Sequence, residues 1–345
     1  MKVSMPLSYA GGFKQSARQA VQLEQAGLDT IWVAEAYGFD GVSLMGYLAA
    51  VTEKVEIGSA ILPLYTRTPT LLAMTAAGVD ALSDGRCILG LGASGPQVIE
   101  GFHGVPYTQP LARTREIVDI CRRVWARERV TYAGPIYTLP LPPEEGTGLG
   151  KPLKLITRPV RDRIPIYVAA LGPRNVRMTA EVADGWLPLF YLPEKVDDVW
   201  GADLAAGAAA RADDLAPLEV VAGGLLAVGD DAVAYRDLAR PMIALYVGGM
   251  GAKGRNFYND LACRYGFEDD AAKIQDLYLD GHKDEAAASV PEGLLEAATI
   301  CGPEGYVRDR IAAFKEAGVT SLNVTPIAED VPALVTRLKE WATHA

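Results

Sequence analysis

A carboxylate with little competition is the first group in this chain that could do chemistry. Glu35 follows the apolar run Thr30–Ala34 and stands beside Tyr37. A carboxylate partly desolvated at a strand end can serve as acid or base, and it can equally cap a helix or join an ion pair. The stretch Val55–Pro69 is the next candidate. Gly58, Ser59 and Ala60 interrupt a β-branched run that continues through Ile61 and Leu62, and Pro63 and Tyr65-Thr66-Arg67-Thr68-Pro69 follow. Small residues in a strand mark a bulge or a ligand close to the backbone, and a proline in that position suits a helix start. A third stretch, Ala170-Leu171-Gly172-Pro173-Arg174-Asn175, joins the apolar run Ile164–Ala169 to a helical pattern over Arg174–Ala183. Free N–H groups at such a helix start form a phosphate cradle, and the same residues also make a tight turn with a surface arginine. Arg67, Lys195 and Lys253 are further cations that could meet an anionic tail or simply face solvent.

Other motifs are weaker. Gly90-Leu-Gly92-Ala-Ser-Gly95 follows a strand, but Pro96 and the loop-like GPQVIEGFHGVPY come next, with no acid-ended strand about 20 residues on. A dinucleotide fold is therefore disfavoured. Gly92–Gly95 reads better as bare backbone open to a ring or phosphate. Gly249-Met-Gly251-Ala-Lys-Gly254 lacks a βαβ context and reads as a flexible lid. His103 reads as a turn or packing histidine. The chain has no Gly-x-Ser-x-Gly elbow and no HExxH.

The elements that must position these groups alternate along the chain. Strand-like runs cover Lys2–Leu7, Thr30–Ala34, Val55–Leu62, Cys87–Leu91, Ile164–Ala169, Gly185–Leu189, Glu219–Val228 and Ser321–Thr325. Helical spacing follows each, as in Phe13–Ala26, Thr70–Leu82, Arg113–Arg127 and Ala202–Leu215. Strands too apolar to have a wet face imply a parallel sheet covered on both sides, and eight of them favour a closed (β/α)8 TIM barrel, an α/β fold. Its site would gather Glu35, Ala60–Leu62, Gly92–Gly95, Ala170–Gly172 and Pro188 at the strand C-termini. Two segments interrupt the single barrel domain 1–345. The Pro/Gly-rich stretch near 131–163 reads as an inserted loop or lid, and 232–300 as a helical insert.

Composition narrows the partners. The chain has 345 residues, half of them hydrophobic, which is enough for a large core. A net charge of −10 disfavours nucleic acid, and no apolar run is long enough to span a membrane. Four scattered cysteines and three histidines offer no metal spacing. The cysteines read as buried small side chains of a protein in the reducing cytoplasm.

Several stretches together resemble the luciferase-like monooxygenase superfamily, in its branch that uses the deazaflavin coenzyme F-420. They are IGSAILPLYTRTP, DALSDGRCILGLGASG, RERVTYAGPIYTLP, IPIYVAALGPRN and EVADGWLPL, in the family's order over nearly the whole chain. The first is similar to the methylenetetrahydromethanopterin reductase type. The resemblance implies a barrel with insertions, a homodimer, and F-420 bound across the strand C-termini. It also implies a non-prolyl cis peptide at Ala60–Ile61 against the ring, beside the small Ser59, with Ala93, Ser94 and Gly95 flanking the ring. Phosphate contacts fall on Ala170, Leu171, Gly172 and Asn175. Where sugar-phosphate and alcohol dehydrogenases of this branch show Asp-His, this chain has Glu35-Ala36, and where the former carry a glutamate it has Ser94-Gly95-Pro96. A reductase of a small organic substrate, with Glu35 or a water supplying the proton, fits better than glucose-6-phosphate oxidation. FMN in an oxygenating enzyme of the same fold is the alternative, and a flavin-binding barrel without turnover a third reading. Arg67, Lys195 and Lys253 favour F-420, whose tail continues into glutamates.

Overall fold

The computed structural model describes residues 1–7 and 12–344. The turn expected at Ser8–Gly11 lies outside the described residues. Eight strands alternate with eight helices: β1 Lys2–Pro6, α1 Phe13–Gln25, β2 Thr30–Val33, α2 Gly41–Val51, β3 Glu56–Ser59, α3 Pro69–Leu82, β4 Cys87–Gly92, α4 Pro110–Trp125, β5 Ile166–Ala169, α5 Pro173–Val182, β6 Gly185–Leu187, α6 Ala202–Ala209, β7 Glu219–Val228, α7 Glu304–Glu316, β8 Ser321–Pro326 and α8 Val331–His344. Every neighbouring pair is parallel, from β1–β2 through β6–β7 to β7–β8. Closure comes where Lys2–Ser4 pairs with Ser321–Asn323. β2 and β4 are buried at every position, as strands covered inside and out must be.

Two glycines set how closely β3 and β4 approach. A Cβ on Gly90 would lie 1.7 Å from the Ser59 carbonyl oxygen, and one on Gly92 would lie 2.8 Å from Ile61. The Ser59 hydroxyl donates to the Gly90 carbonyl and accepts from its N–H, both at 2.8 Å. These glycines therefore serve strand packing, which corrects the reading of Gly92 as bare backbone open to a ring or phosphate. Beyond the cis peptide at Ala60–Ile61, expected from the resemblance, Leu62–Pro63 rejoins β4 at Leu91–Gly92.

Elsewhere the structure departs from expectation. A short helix, Pro96–Gly101, with proline in its first turn, replaces the expected loop after β4. α6 stops at Ala209, because the Arg211 guanidinium gathers the carbonyls of Ala180, Ala183 and Ala216 and turns the chain back. Within the helical insert, Thr299–Gly302 is a strand alongside Leu225–Val228 of β7.

The segment 131–163 is not a lid over the mouth. It runs from the end of α4 to the start of β5, so it belongs to the opposite end of the barrel. Arg161 reaches under that end, its Nε 3.1 Å from the fully buried Asp80 carboxylate and its Nη2 donating to the Cys87 carbonyl at 2.6 Å. Only its hairpin, Tyr132–Ala133 with Thr138–Leu139, climbs back along α4, where Glu116 accepts from the N–H groups of Ile136 and Tyr137. The expected flexible lid at Gly248–Gly254 is also tied down. Asn256, 1 % exposed, donates to the carbonyls of Tyr246 and Val247 and caps the helix Phe257–Arg264, and Lys253 pairs with Asp276.

Candidate functional site

Parallel closure puts the C-termini of all eight strands around one mouth. The partly open residues there include Ala60 and Ile61 after β3, Ala93 and Gly95 after β4, Leu171 and Gly172 after β5, and Pro188 after β6. Beneath them lies an inner layer of Trp32, Ile88, Tyr167 and Val221, with Ala60 and Leu187 packed on it. The result is an apolar floor of small residues, which suits the face of a flat ring. Of the residues expected to meet that ring, Ser59 and Leu62 are fully buried. The Ser59 hydroxyl is spent on Gly90, so only Ala60 and Ile61 of this stretch face the mouth.

The polar end of the site is the start of α5. Its N-cap, Gly172, carries no capping side chain, and Pro173 occupies the first turn. The Trp186 and Trp200 indole N–H groups donate to the carbonyls of Ala170 and Leu171, each at 2.9 Å. These bonds hold the Ala170–Gly172 loop from behind. The buried Oδ1 of Asn175 has no partner among the described residues. An unsatisfied side-chain amide beside an uncapped helix N-terminus is what a bound oxyanion would complete, with the amide turned to present its N–H groups. Arg174 is exposed beside it.

Glu35 and Arg67, read separately in the sequence, meet each other. Arg67 donates through Nη1 to Glu35 Oε1 at 2.5 Å and through Nη2 to Oε2 at 2.8 Å. The Gly41 N–H, in the first turn of α2, adds a third hydrogen bond to Oε2 at 2.8 Å. The side chains are 9 % and 15 % exposed. This fork-on-fork pair lifts the Arg67 guanidinium above its ordinary pKa, chiefly through the hydrogen bond to Glu35. Glu35 is thus a salt-bridged, helix-capping carboxylate, and Arg67 is engaged rather than held out for an anionic tail. The pair ties the loop after β3 to the end of β2. Removing one partner should cost about 3–5 kcal/mol, because it strands the other charge half-desolvated. In a double-mutant cycle of Glu35→Gln and Arg67→Met by denaturant unfolding, we expect a coupling of roughly 1–3 kcal/mol. Additive effects would show that the two do not act as a pair.

Of the remaining cations, Lys195 lies after β6, exposed and only 3.9 Å from Asp198. It remains able to meet a tail, whereas Lys253 is paired with Asp276. His103 is exposed, its ring edge-on to Phe102 at 5.1 Å.

The sequence reading passed over a ring of tyrosines. Tyr65 and Tyr107 stack at 5.0 Å, and Arg113 lies over Tyr65 at 4.6 Å and over Tyr137 at 5.3 Å. The Tyr107 hydroxyl donates to the carbonyl of Ser94 at 3.3 Å, and burial pushes its pKa up to about 12. Ser94 adopts a positive φ of 58°, uncommon for a residue with a side chain, at the point where β4 opens into the mouth. Opposite, Phe190, also at positive φ, packs against Tyr246 and Tyr258 at 5.8 and 6.3 Å. Tyr107 stood in the quoted GFHGVPY, but nothing local marked it. Tyr258 comes from the insert, whose distance from the mouth no local pattern reveals.

Comparison with known proteins accords with this arrangement. The sequence pattern of the luciferase-like monooxygenases matches residues 1–321. The chain is 43 % identical over 330 residues to a Mycobacterium tuberculosis protein assigned to the coenzyme F-420-dependent oxidoreductases, covering 94 % of this chain and 95 % of that one. It is 28 % identical over 315 residues to a 5,10-methylenetetrahydromethanopterin reductase of Archaeoglobus fulgidus, covering 89 % and 88 %. In structure it resembles the coenzyme F-420-dependent tetrahydromethanopterin reductase of Methanopyrus kandleri, with a TM-score of 0.82, 22 % identity and coverage of 99 % and 98 %. With the barrel, the small-residue floor and the match over most of its length, the chain belongs to the luciferase-like monooxygenase family.

Proposed function

We propose that the protein is a coenzyme F-420-dependent oxidoreductase that works as a reductase of a small organic substrate. The observation that carries this reading is the unsatisfied amide of Asn175 beside the uncapped start of α5, at one end of an apolar floor open to a flat ring. The F-420 dependence assigned to the 43 %-identical relative supports the same cofactor. The α5 N-terminus and Asn175 would hold the phosphate, and Arg174 and Lys195 would meet the carboxylates of the tail. Ala60, Ile61, Ala93 and Pro188 would lie against the ring, where small side chains let it come close. Bound there, F-420 supplies a carrier that gives or takes a hydride. The chain orients that carrier, keeps water from its face and positions the acceptor. Fluorescence titration of the purified protein with F-420 and FMN tests this reading, and FMN binding without F-420 binding would replace it.

We further propose that the protein is a cytoplasmic homodimer. The cysteines are all free, and three are buried, as suits a reducing compartment. No helix among the described residues is long and apolar enough to cross a membrane. α3 presents Leu71, Met74 and Leu82 outward, at 45–62 % exposure, and α2 adds Tyr47. Helices apolar on both faces normally have a partner on each. Sedimentation should show a dimer that Met74→Glu with Leu82→Glu shifts to monomer. A monomeric wild type would refute the dimer.

A further inference from the structure

Hydride delivery to a carbonyl compound leaves negative charge on oxygen, and something must receive it. Of the ionisable groups at the mouth, Arg174 and Lys195 are given to the anionic end of the cofactor in the proposed function, and the others fail one by one. Glu35 is held by Arg67 and Gly41. Ala36 stands where an imidazole would serve, and the His103 ring is exposed against Phe102. The Tyr65 hydroxyl donates to the Thr108 carbonyl at 3.0 Å. What remains is phenolic. Tyr258 is held edge-on by Tyr246 at 4.7 Å and backed by Phe190, which follows the floor residue Pro188. Its backbone is fixed by the Asn256 cap, at 3.0 Å from the Tyr258 N–H. Its hydroxyl has no hydrogen-bond partner among the described residues, although its ring is partly buried against the core. Burial, reinforced by Tyr246 and Tyr107, raises its pKa well above the ordinary phenol value. The Tyr258 phenol is therefore a neutral donor throughout the physiological range. Tyr107 faces the same space from the β4 side, tethered to Ser94.

We propose that the Tyr258 hydroxyl donates a hydrogen bond to the carbonyl oxygen of the substrate, which makes ketones and conjugated carbonyl compounds the substrate class. This rests on the reductase reading of the site. Hydride from the reduced deazaflavin forms a C–H bond at the carbonyl carbon or at the far carbon of a conjugated alkene. The displaced π pair moves to oxygen, the deazaflavin is left oxidised by two electrons, and a proton from water completes the product. A phenol too weakly acidic to give up its proton stabilises that oxyanion by hydrogen bonding alone.

The test uses 4-nitrophenolate as an oxyanion probe and nitrobenzene as its neutral counterpart. Both are titrated by absorbance into the wild type, with and without F-420, and into Tyr258→Phe and Tyr107→Phe. Each variant removes one oxygen and no packing atom, and thermal unfolding verifies the fold. Tyr258→Phe should weaken phenolate binding about 10- to 100-fold, with nitrobenzene binding unchanged and Tyr107→Phe, whose hydroxyl is spent on the Ser94 carbonyl, binding phenolate as the wild type does. Equal phenolate affinity in Tyr258→Phe, or no phenolate binding by the wild type, would overturn the proposal. Tyr258-dependent phenolate binding in a protein that fails to bind F-420 would uphold the oxyanion site and refute the cofactor reading instead.

Discussion

Gly172→Asp should separate stability from function in this protein, raising the first while destroying the second. A Cβ at Gly172 would meet nothing within 4 Å, and its φ of −70° and ψ of 147° suit any N-cap residue. An aspartate there caps α5 and complements its dipole, worth about 0.5–1 kcal/mol of added stability. The same carboxylate occupies the space where the phosphate of F-420 is proposed to sit. Two like charges some 4 Å apart at a protein surface repel by up to about 4 kcal/mol, so F-420 affinity should fall roughly 100-fold or more. Thermal unfolding and fluorescence titration of one preparation read both effects. A raised melting temperature with undiminished F-420 affinity would move the phosphate away from α5.

Gly90→Ala should be the most damaging substitution of a single hydrogen by a methyl group. The added carbon would lie 1.7 Å from the Ser59 carbonyl oxygen, a backbone atom with no freedom to move aside. Overpacking usually costs 1–3 kcal/mol where side chains can yield, and here only separation of β3 from β4 provides room. We expect a loss of more than about 4 kcal/mol, read as insoluble or non-cooperatively unfolding protein. Ser59→Ala should be milder, because it removes two hydrogen bonds, at 2.8 Å each, without forcing the strands apart. A soluble Gly90→Ala protein with wild-type unfolding would mean that this approach of the two strands is misplaced.

The barrel was legible because burial on both faces leaves strands no choice of residue. β7 was read to the residue, Glu219–Val228, and the others to within a few positions at one or both ends. The strand-to-helix turn at Ala170–Asn175 was also legible, since a strand, a small-residue turn and a helix start are consecutive in the chain. Insertions were not. Whether 131–163 covers the mouth depends on which end of the barrel it joins, and its position after a helix and before a strand assigns it to the far end. That inference was available from the order of elements, but composition alone suggested a lid. The fate of Glu35 was out of reach for a different reason. Its partner Arg67 is 32 residues away, and pairing across neighbouring strand ends follows from geometry that no local pattern encodes. Gly92 misled in the opposite sense, because a glycine in a ligand-binding turn and a glycine in a tight strand contact have the same letter. Tyr258 shows the limit most plainly: five helices and many turns of insert separate β7 from α7, yet one of them places a phenol opposite Tyr107.

The central claim is that the mouth holds F-420, its phosphate at α5 and its ring on Ala60 and Ile61. Titration of the purified protein with F-420 and with FMN, followed by fluorescence, addresses it most directly. F-420 continues beyond its phosphate into a carboxylate tail, whereas FMN ends there, so Arg174 and Lys195 have a role only with F-420. The account predicts saturable F-420 binding that weakens with salt and in Lys195→Ala, together with weaker FMN binding. Tight FMN binding with no response to F-420 would contradict it.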